Sequence, residues 1–598
     1  MRNLKNPKNL SLGIALRECI PLIFKQSRTA TCFKAVFVLF SGFVGGAMMP
    51  AMELLFTGMV GQDVGGDAPR LPILFAVGLV LLITMLNGLM GMVSPVVDVY
   101  RQGRTRGGLT QLIHDKMAHI PAQRFEDKEA LDDITKAKEG MEGAMGLMDM
   151  VINIVCYHGM YFAVVGVFLW RLEPILVLSL AFVFIPVALS QIIHARIHAA
   201  QQNKLAPVRR EETQYYRHAL NHEDTRFYGL FNCFHAKMLE ARKRLFDTEW
   251  RTEIRVQRIT FGLNLVKILG WVGILVLLFR GMIGGSISVG AFAAVFTAIG
   301  TMFGNMENVF RSIQYEAMNR LGAIHHFLHF LSMADQESMD NTHESETGAV
   351  SVTASGISFN YPAAERPAVD NVSLHIAPGE TVAIVGVNGS GKTTLVKLLC
   401  GLYRPSAGTV CFGANNKPPS FARTSAVFQD FARYTPLSLA DNVNIACWDD
   451  PPDGIVPSLE AAEVEHNDKA TFPNGVDTIL SRNVDGVQLS GGQWQRIAMA
   501  RGLFRSHELI ILDEPTAAID PVEESRVYRQ FAELAKDKTA ILVTHRLGSA
   551  RIADRIVVMD NACVVEIGTH ETLLDAGGLY ANMWQMQAGG YYENRENG

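Results

Sequence analysis

Six long apolar runs in the first half of the sequence restrict most strongly how this chain can fold. Each is long enough, or nearly so, for a helix that crosses a bilayer, which takes about 20 apolar residues. Strands would show an alternating pattern instead, and soluble proteins seldom bury so many helices of this length. The sequence therefore predicts a membrane-spanning helical bundle. The runs are 35–52, 71–97, 151–170, 174–193, 261–279 and 281–306.

The charges of the connections indicate on which side of the membrane they lie. The connections after the second and fourth runs are long and rich in lysine and arginine, whereas the others are short or lean towards acidic. Basic connections stay cytoplasmic, so both chain termini are predicted to be cytoplasmic. Before the first run, residues 10–24 carry apolar side chains at helical spacing, which predicts an interfacial helix or one packed on the bundle.

Bulk composition separates this chain from several other classes of protein. A length of 598 residues requires several domains. The hydrophobic content of 48% is high for a wholly soluble protein, and the net charge of −5 indicates no nucleic-acid partner. The eight cysteines include no Cys-x-x-Cys pair, which argues against a disulfide framework or a zinc site.

A glycine-rich loop in the second half predicts a phosphate site. It follows the apolar stretch 381–385 and precedes a predicted helix at 392–400. In the pattern Gly-x-x-x-x-Gly-Lys-Thr, backbone N–H groups surround a phosphate, the lysine reaches the β/γ oxygens and the threonine hydroxyl meets Mg²⁺. The residues that we predict to contact the nucleotide are Asn388, Gly389, Ser390, Gly391, Lys392, Thr393 and Thr394.

A second motif narrows the kind of nucleotide-binding protein. The stretch Leu489-Ser490-Gly491-Gly492-Gln493 follows the glycine-rich loop by about a hundred residues, and together the two motifs resemble the ATP-binding-cassette (ABC) superfamily. The resemblance implies that Ser490, Gly491, Gly492 and Gln493 of one copy face the ATP held by the other. A second copy of the chain is therefore an expected partner, in a homodimer or a heterodimer.

The remaining family motifs occur in the family order. The resemblance implies that Tyr361 stacks on adenine and that Gln429 reaches the Mg²⁺ and senses the membrane domain. The stretch 517–520 resembles the D-loop and keeps its acid, Asp520, although alanine and isoleucine replace the usual serine and leucine.

Two carboxylates end the apolar stretch 509–512. The resemblance implies that Asp513 joins Thr393 and Gln429 around Mg²⁺. Glu514 would be the general base that polarises the attacking water, and His545 would contact the γ-phosphate. ATP and Mg²⁺ are the expected cofactors.

The first half resembles the transmembrane domain of ABC exporters, the type IV fold. This implies coupling helices at the tips of the two long connections, near 121–127 and 221–229. The fold class is therefore a six-span α-helical membrane bundle fused to an α/β P-loop ABC ATPase domain with a helical subdomain. We expect a transmembrane domain at 1–312, a linker at 313–348, the ATPase domain at 349–590 and a tail at 591–598.

Several features do not follow the family pattern or stay open. Val484 occupies the position of a glutamate that helps domain coupling in many exporters, so Asp485 substitutes or the contact is missing. His325 and His329 lie one helical turn apart, and we expect a packed or solvated helix face rather than a metal site.

Lys267 lies inside the fifth run, where a charge is costly. It is predicted to face the transport pathway or, as an equal alternative, to be a structural, paired lysine. Glu53 is expected near the outer edge and Glu307 near the cytoplasmic mouth, so neither is as well placed to neutralise Lys267.

Together these features predict an ATP-driven half-transporter that exports a peptide or an amphipathic small molecule across the bacterial plasma membrane by alternating access. Membrane lipids and the transported substrate are the other expected partners. One alternative is an importer of exporter-like fold that takes up metal chelates. A non-transport ATPase is a second, and the six spans argue against it.

Overall fold

The computed structural model describes most of the chain. The described residues are 11–63, 70–220, 222–318, 320–333, 348–362, 364–413, 417–419, 424–448, 452–505, 507–514 and 537–596. Contacts between Cα atoms divide the chain into two compact units. The first comprises residues up to Ala118 together with Asp132–Met333, and the second comprises His119–Leu131 together with the residues after Met333.

The described part of the first unit consists of helices joined by short turns. Ser11 and Ser288 begin two of its helices as N-caps, because each side chain accepts a hydrogen bond from the backbone N–H three residues later. The helices are α1 (Leu12–Gln26), α2 (Arg28–Asp63), α3 (Arg70–His119), α4 (Lys128–Ile152), α5 (Gly159–Leu172), α6 (Pro174–Leu220), α7 (His222–Phe227), α8 (Phe231–Ile283), α9 (Val289–Ser312) and α10 (Leu321–Ser332).

Five of these helical stretches are long and apolar enough to cross a membrane, and Pro174–Ser190 is a shorter apolar helix. The chain is a multi-pass membrane protein. The sixth predicted run, 281–306, is wrong at its start, because α8 continues through Ile283 and the chain turns before α9 begins at Val289. Gly285 adopts a φ of 76° in that turn, a conformation that favours glycine.

The predicted interfacial helix is α1, and the two predicted tips are short helices. Ala122–Glu126 forms a 3₁₀ turn and His222–Phe227 forms α7, while Asn221 lies outside the described residues. In α7 the residue Phe227 is 83% exposed. Much of the predicted linker is helical, since α9 is followed by a π-helical turn at Ile313–Met318 and then by α10.

A buried charge network joins three of the apolar helices. Lys34 of α2 pairs with Asp149 of α4 and lies 2.5 Å from Asp98 of α3. The guanidinium of Arg101 donates to Asp149 at 2.5 Å. The side chains of Lys34 and Arg101 are only 4% and 0% exposed, so these charges are compensated inside the bundle rather than by solvent.

The second unit contains two β-sheets. A three-stranded antiparallel sheet has the order β2-β1-β4, and a six-stranded sheet has the order β5-β6-β7-β3-β8-β9. In the larger sheet the pairs from β5 to β8 are parallel and β9 is antiparallel to β8. The strands are β1 (Val352–Phe359), β2 (Val369–Ile376), β3 (Thr381–Gly386), β4 (Ala407–Phe412), β5 (Thr424–Val427), β6 (Leu509–Asp513), β7 (Thr539–Val543), β8 (Arg555–Asp560) and β9 (Cys563–Gly568).

Helices cover the sheet and form a separate cluster beside it. Side chains of β1 to β4, β6 and β7 pack with α11 in one core, and Leu439, Leu459, Phe472, Trp494 and Ile497 belong to a second core. This second core is the predicted helical subdomain. The helices are α11 (Lys392–Leu399), α12 (Leu439–Asn444), α13 (Ile455–Ala461), α14 (Gly491–Phe504), α15 (Leu547–Ala550), α16 (His570–Asp575) and α17 (Leu579–Glu596).

Candidate functional site

The predicted catalytic residues lie at one edge of the larger sheet. Strands β5, β6, β7 and β3 are consecutive and parallel, so their carboxyl ends meet at the same edge. Gln429 follows β5, Asp513 ends β6, His545 follows β7 and the glycine-rich loop follows β3. Ligands of open α/β sheets bind at such an edge.

The glycine-rich loop has the tight backbone that close phosphate contact requires. Gly391 adopts a φ of 99° immediately before α11, and a Cβ there would lie 2.2 Å from the carbonyl oxygen of Ala368. Lys392 Nζ donates to the carbonyls of Gly386 and Val387, each at 3.1 Å. Burial lowers the pKa of Lys392, and the charges of Glu514 and Asp513 oppose this shift.

The carboxylates after β6 occupy different environments. Asp513 is fully buried, and burial is the main cause that raises its pKa to about 6. Its Oδ1 accepts from Thr393 Oγ1 at 3.3 Å, and its Oδ2 has no hydrogen-bond partner among the described residues. Glu514 has a φ of 43° and its Oε2 lies 3.5 Å from His545 Nδ1. Such a left-handed, non-glycine residue costs free energy and is often functional.

Tyr361 is tied to the helix that follows the glycine-rich loop. Its hydroxyl lies 3.1 Å from Thr394 Oγ1, and its ring packs edge-on against Phe359 and Tyr403. Gln429 is exposed two residues after β5. Asp520 lies outside the described residues.

The second motif, residues 489–493, forms the N-terminus of α14. The Ser490 hydroxyl accepts from the Gln493 backbone N–H at 3.3 Å, and the Gln493 side chain accepts from the Ser490 N–H at 2.9 Å. This reciprocal capping leaves Gly491 exposed at the helix start, where backbone N–H groups and the helix dipole favour an anion. The preceding residue, Leu489, is buried in the helical subdomain.

Two contacts of the second unit were not foreseen from the sequence. The hydroxyl of Tyr403 donates to Glu126 Oε1 at 2.5 Å, and the Arg404 N–H donates to Gln123 Oε1 at 3.2 Å. Burial and then the Glu126 carboxylate raise the pKa of Tyr403. The partners lie more than 270 residues apart in sequence, so no local pattern could have found them.

The structure corrects the expectation for Glu307. Lys267 Nζ donates to Glu307 Oε1 at 2.7 Å. Lys267 lies 16 residues before the end of α8 and Glu307 lies 18 residues after the start of α9. Both are therefore at about the same depth on adjacent helices that run in opposite directions. Counting the sixth span from residue 281 rather than from Val289 placed Glu307 too far from the turn relative to Lys267.

The histidines of α10 lie on a packed face. His326 and His329 contact the two oxygens of Asp133 at 2.5 and 2.6 Å, and His325 stacks on His329. Within the part of the chain that the structure describes, no group of three or more such side chains is arranged so that it could hold a metal ion.

Comparison with known proteins identifies the domain and the fold. Residues 369–517 match the family model of the ABC transporter. The chain is 32% identical over 382 residues to the subtilin transport ATP-binding protein SpaT of Bacillus subtilis, covering 61% of this chain and 60% of that protein. It is 38% identical over 236 residues to an ATP-dependent lipid A-core flippase of Burkholderia orbicola, covering 39% of each.

Two further comparisons extend the likeness. The nisin transport ATP-binding protein NisT of Lactococcus lactis is 32% identical, with 56% of each chain covered. The matches therefore span roughly 39 to 60% of these relatives' own length. A solved structure of a bacterial Atm1-family ABC exporter has a TM-score of 0.69 at 21% identity and covers 93% of this chain and 98% of that one.

The chain contains an ABC transporter domain, a domain that binds ATP, and it has the fold of an ABC exporter. The resemblance and the fold class predicted from the motifs are confirmed. The roles of the individual site residues and the domain boundaries stay predictions.

Proposed function

We propose that this protein is an ATP-driven exporter of the bacterial cell membrane, with both termini in the cytoplasm. Two copies of the chain couple ATP hydrolysis to alternating-access export of a peptide or an amphipathic small molecule. The observation that carries the proposal is the sheet edge where Gln429, Asp513, Glu514, His545 and the glycine-rich loop follow adjacent parallel strands. The same chain provides apolar helices that are long enough to cross a membrane.

The chain's own groups account for ATP hydrolysis. Backbone N–H groups of the glycine-rich loop and Lys392 bind the phosphates. Glu514 takes the proton of the attacking water as general base. His545, 3.5 Å from Glu514 Oε2, contacts the γ-phosphate and holds the carboxylate in place.

A magnesium ion fits the buried side of this edge. The Asp513 carboxylate, the Thr393 hydroxyl and the Gln429 amide would supply the oxygen ligands that Mg²⁺ prefers. The buried Oδ2 of Asp513 has no hydrogen-bond partner among the described residues, which suits an oxygen that binds a cation. Bound there, Mg²⁺ would neutralise part of the phosphate charge.

The exposed start of α14 supports a dimer. Ser490, Gly491 and Gly492 form a helix N-terminus suited to an anion. We infer that this N-terminus completes the site of the second copy. Two identical chains then form two complete sites.

The relatives support export over the metal-chelate importer. Two are named for the transport of subtilin and nisin, one is named as a flippase for lipid A-core, and the solved structure is that of an exporter. These names support export, and they support our proposal of a peptide or an amphipathic small molecule as the substrate.

The test is Glu514→Gln in the purified full chain. The variant should bind ATP but hydrolyse it about 10²–10⁴-fold more slowly, because only the proton acceptor is lost. Glu460→Gln, at an exposed position of α13, is the control and should match the wild type. Inside-out vesicles should accumulate candidate peptides only with ATP and the wild-type protein. Near-normal turnover by Glu514→Gln would refute the assignment, and ATP-dependent loss of substrate from the vesicles would favour the importer.

A further inference from the structure

Two groups of charged side chains lie within the apolar helices of the first unit, and they differ in exposure. In the network of Lys34, Arg101 and Asp149 the basic side chains are at most 4% exposed. Lys267 and Glu307 form an ion pair of 2.7 Å but remain 24% and 33% exposed. In the first group the basic side chains are buried, although the acidic partner Asp98 is 34% exposed, whereas in the second group the basic side chain is itself partly exposed.

The open side of this ion pair is a cavity of about 120 Å³. Among the described residues, α6, α8 and α9 line it. Besides the two charges, the described lining residues are Pro186, Ser190, Thr260, Leu263 and Asn264. The side chains of Ser190, Thr260 and Asn264 bring hydroxyl and amide groups to the same space.

In the apolar part of α8, residues 260–279, the hydroxyl, amide and ammonium side chains lie on one helix face. Thr260, Asn264 and Lys267 are spaced by four and three residues, which places them on one side of a helix. Phe261 and Leu269, on other faces of the helix, are 66% and 70% exposed. Polar side chains in an apolar helix are costly and usually face a partner or a wet cavity. Thr260, Asn264 and Lys267 therefore all line the cavity.

The ion pair at the cavity lies far along α8 and α9 from the turn that joins these helices. Lys267 and Glu307 are 16 and 18 residues from the turn between α8 and α9. At about 1.5 Å per residue, the pair lies about 25 Å from that turn. This distance is close to the thickness of a hydrocarbon core, about 30 Å.

We propose that this cavity binds a small zwitterionic group, an ammonium joined to a phosphate or carboxylate, on the substrate of the transporter. The proposal rests on the proposed export function. When a zwitterion enters between Lys267 and Glu307, its anionic group pairs with Lys267 and its cationic group pairs with Glu307. Neither side chain then lacks an opposite charge. A ligand with a single charge would leave one partner uncompensated in an apolar bundle.

The size of the cavity limits what enters it. Pockets that enclose drug-sized ligands measure about 300–1,000 Å³, so a space of about 120 Å³ takes a head group and leaves the apolar remainder outside. The head group could belong to a phospholipid or to a dissolved amphipathic substrate, which present the same chemistry.

Binding to the purified full chain, without nucleotide, tests the site. The probes are a short-chain phosphatidylethanolamine, a short-chain phosphatidylglycerol that carries only the anion, and the dipeptide alanyl-alanine. At least one zwitterionic probe should bind at least about tenfold more tightly than the anionic lipid, a difference of about 1.4 kcal/mol. Binding of the lipid alone indicates a lipid source and binding of the dipeptide alone a dissolved one. Equal affinity for phosphatidylglycerol, or no binding of either zwitterion, would overturn the proposal.

Variants connect this selectivity to the ion pair. Lys267→Gln combined with Glu307→Gln removes both charges and should weaken binding of the zwitterion at least about tenfold. Asp132→Asn with Lys136→Gln removes an ion pair whose side chains are 50% and 42% exposed, and it is the matched control. Unchanged affinity in the first double variant contradicts the site. If that variant does not fold, the affinities of the wild-type protein for the zwitterionic and anionic probes decide whether the proposal holds.

Transport is a separate measurement. A probe that binds but does not move in proteoliposomes with ATP contradicts the proposed export of that probe and leaves the binding site intact. A protein that hydrolyses ATP and moves another substrate, yet binds no zwitterion, contradicts the site and not the export function.

Discussion

Asp149 is the residue on which the buried charge network of the first unit depends most. It contacts both Lys34 and Arg101, and the Arg101 side chain has no exposed surface. Among the described residues, Arg101 Nε and Nη1 have no hydrogen-bond partner, so Asp149 is the carboxylate that compensates this guanidinium. Breaking a buried ion pair from one side costs about 3–5 kcal/mol because the remaining charge stays buried. Asp149→Asn should therefore destabilise the protein by that amount.

Asp98→Asn is the matched control. Asp98 is 34% exposed and contacts Lys34, which keeps Asp149 as a second partner. Its loss should cost about 1 kcal/mol. The assay is the fraction of monodisperse protein in detergent after heating over a range of temperatures. Arg101→Met combined with Asp149→Leu should recover most of the loss, since apolar replacement of a buried pair is often neutral. If Asp149→Asn and Asp98→Asn unfold at the same temperature, then Asp149 does not stabilise the protein more than Asp98 does, and this reasoning is wrong.

Three further outcomes are expected from the ATPase unit. Gly391→Ala should abolish ATP binding in a nucleotide-binding assay, whereas Gly389→Ala should only weaken it. Both residues have positive φ, but a Cβ at Gly391 would lie 2.2 Å from a backbone oxygen and one at Gly389 meets nothing within 4 Å. Burial raises the pKa of Asp513 to about 6 from 3.8. The buried carboxylate becomes charged as pH rises through that interval, and this charge lowers the free energy of unfolding. Asp513→Asn should then stabilise the nucleotide-free protein by about 3 kcal/mol at pH 8 and less at pH 5, and an equal gain at both pH values would count against this cause. Mixed dimers of Ser490→Arg with Lys392→Ala should regain part of the ATPase activity lost in each parent, because one site is then intact; no recovery would mean that the sites do not form across the dimer or are obligately coupled.

Local patterns in the sequence predicted the elements of the fold well. Apolar runs of about 20 residues identify membrane helices because every backbone polar group must be paired inside the helix. The misplaced boundary at 281–288 lies where apolar residues continue through a turn, and the hydropathy pattern does not show such an interruption. Likewise, Asp513 and Glu514 could be placed because an apolar strand ends directly before them.

Contacts between distant residues could not be predicted from these patterns. The pairs Lys34–Asp149 and His326–Asp133 are separated by 115 and 193 residues, and helix packing alone brings them together. The pairing of Lys267 with Glu307 depended on where the turn between α8 and α9 falls. An error of a few residues in that turn shifts the estimated depth by several ångströms at 1.5 Å per residue.

The short segment His119–Leu131 determines which fragments of the protein can be expressed separately. It belongs to the compact unit that otherwise begins after Met333, so no single fragment of the coding sequence encodes that unit alone. A fragment for 334–598 lacks Glu126 and Ala122, which contact Tyr403 and the core of the ATPase domain. Its product would present an uncovered patch around Tyr403, and adding a synthetic peptide of residues 119–131 to the expressed fragment is the direct way to supply the missing piece.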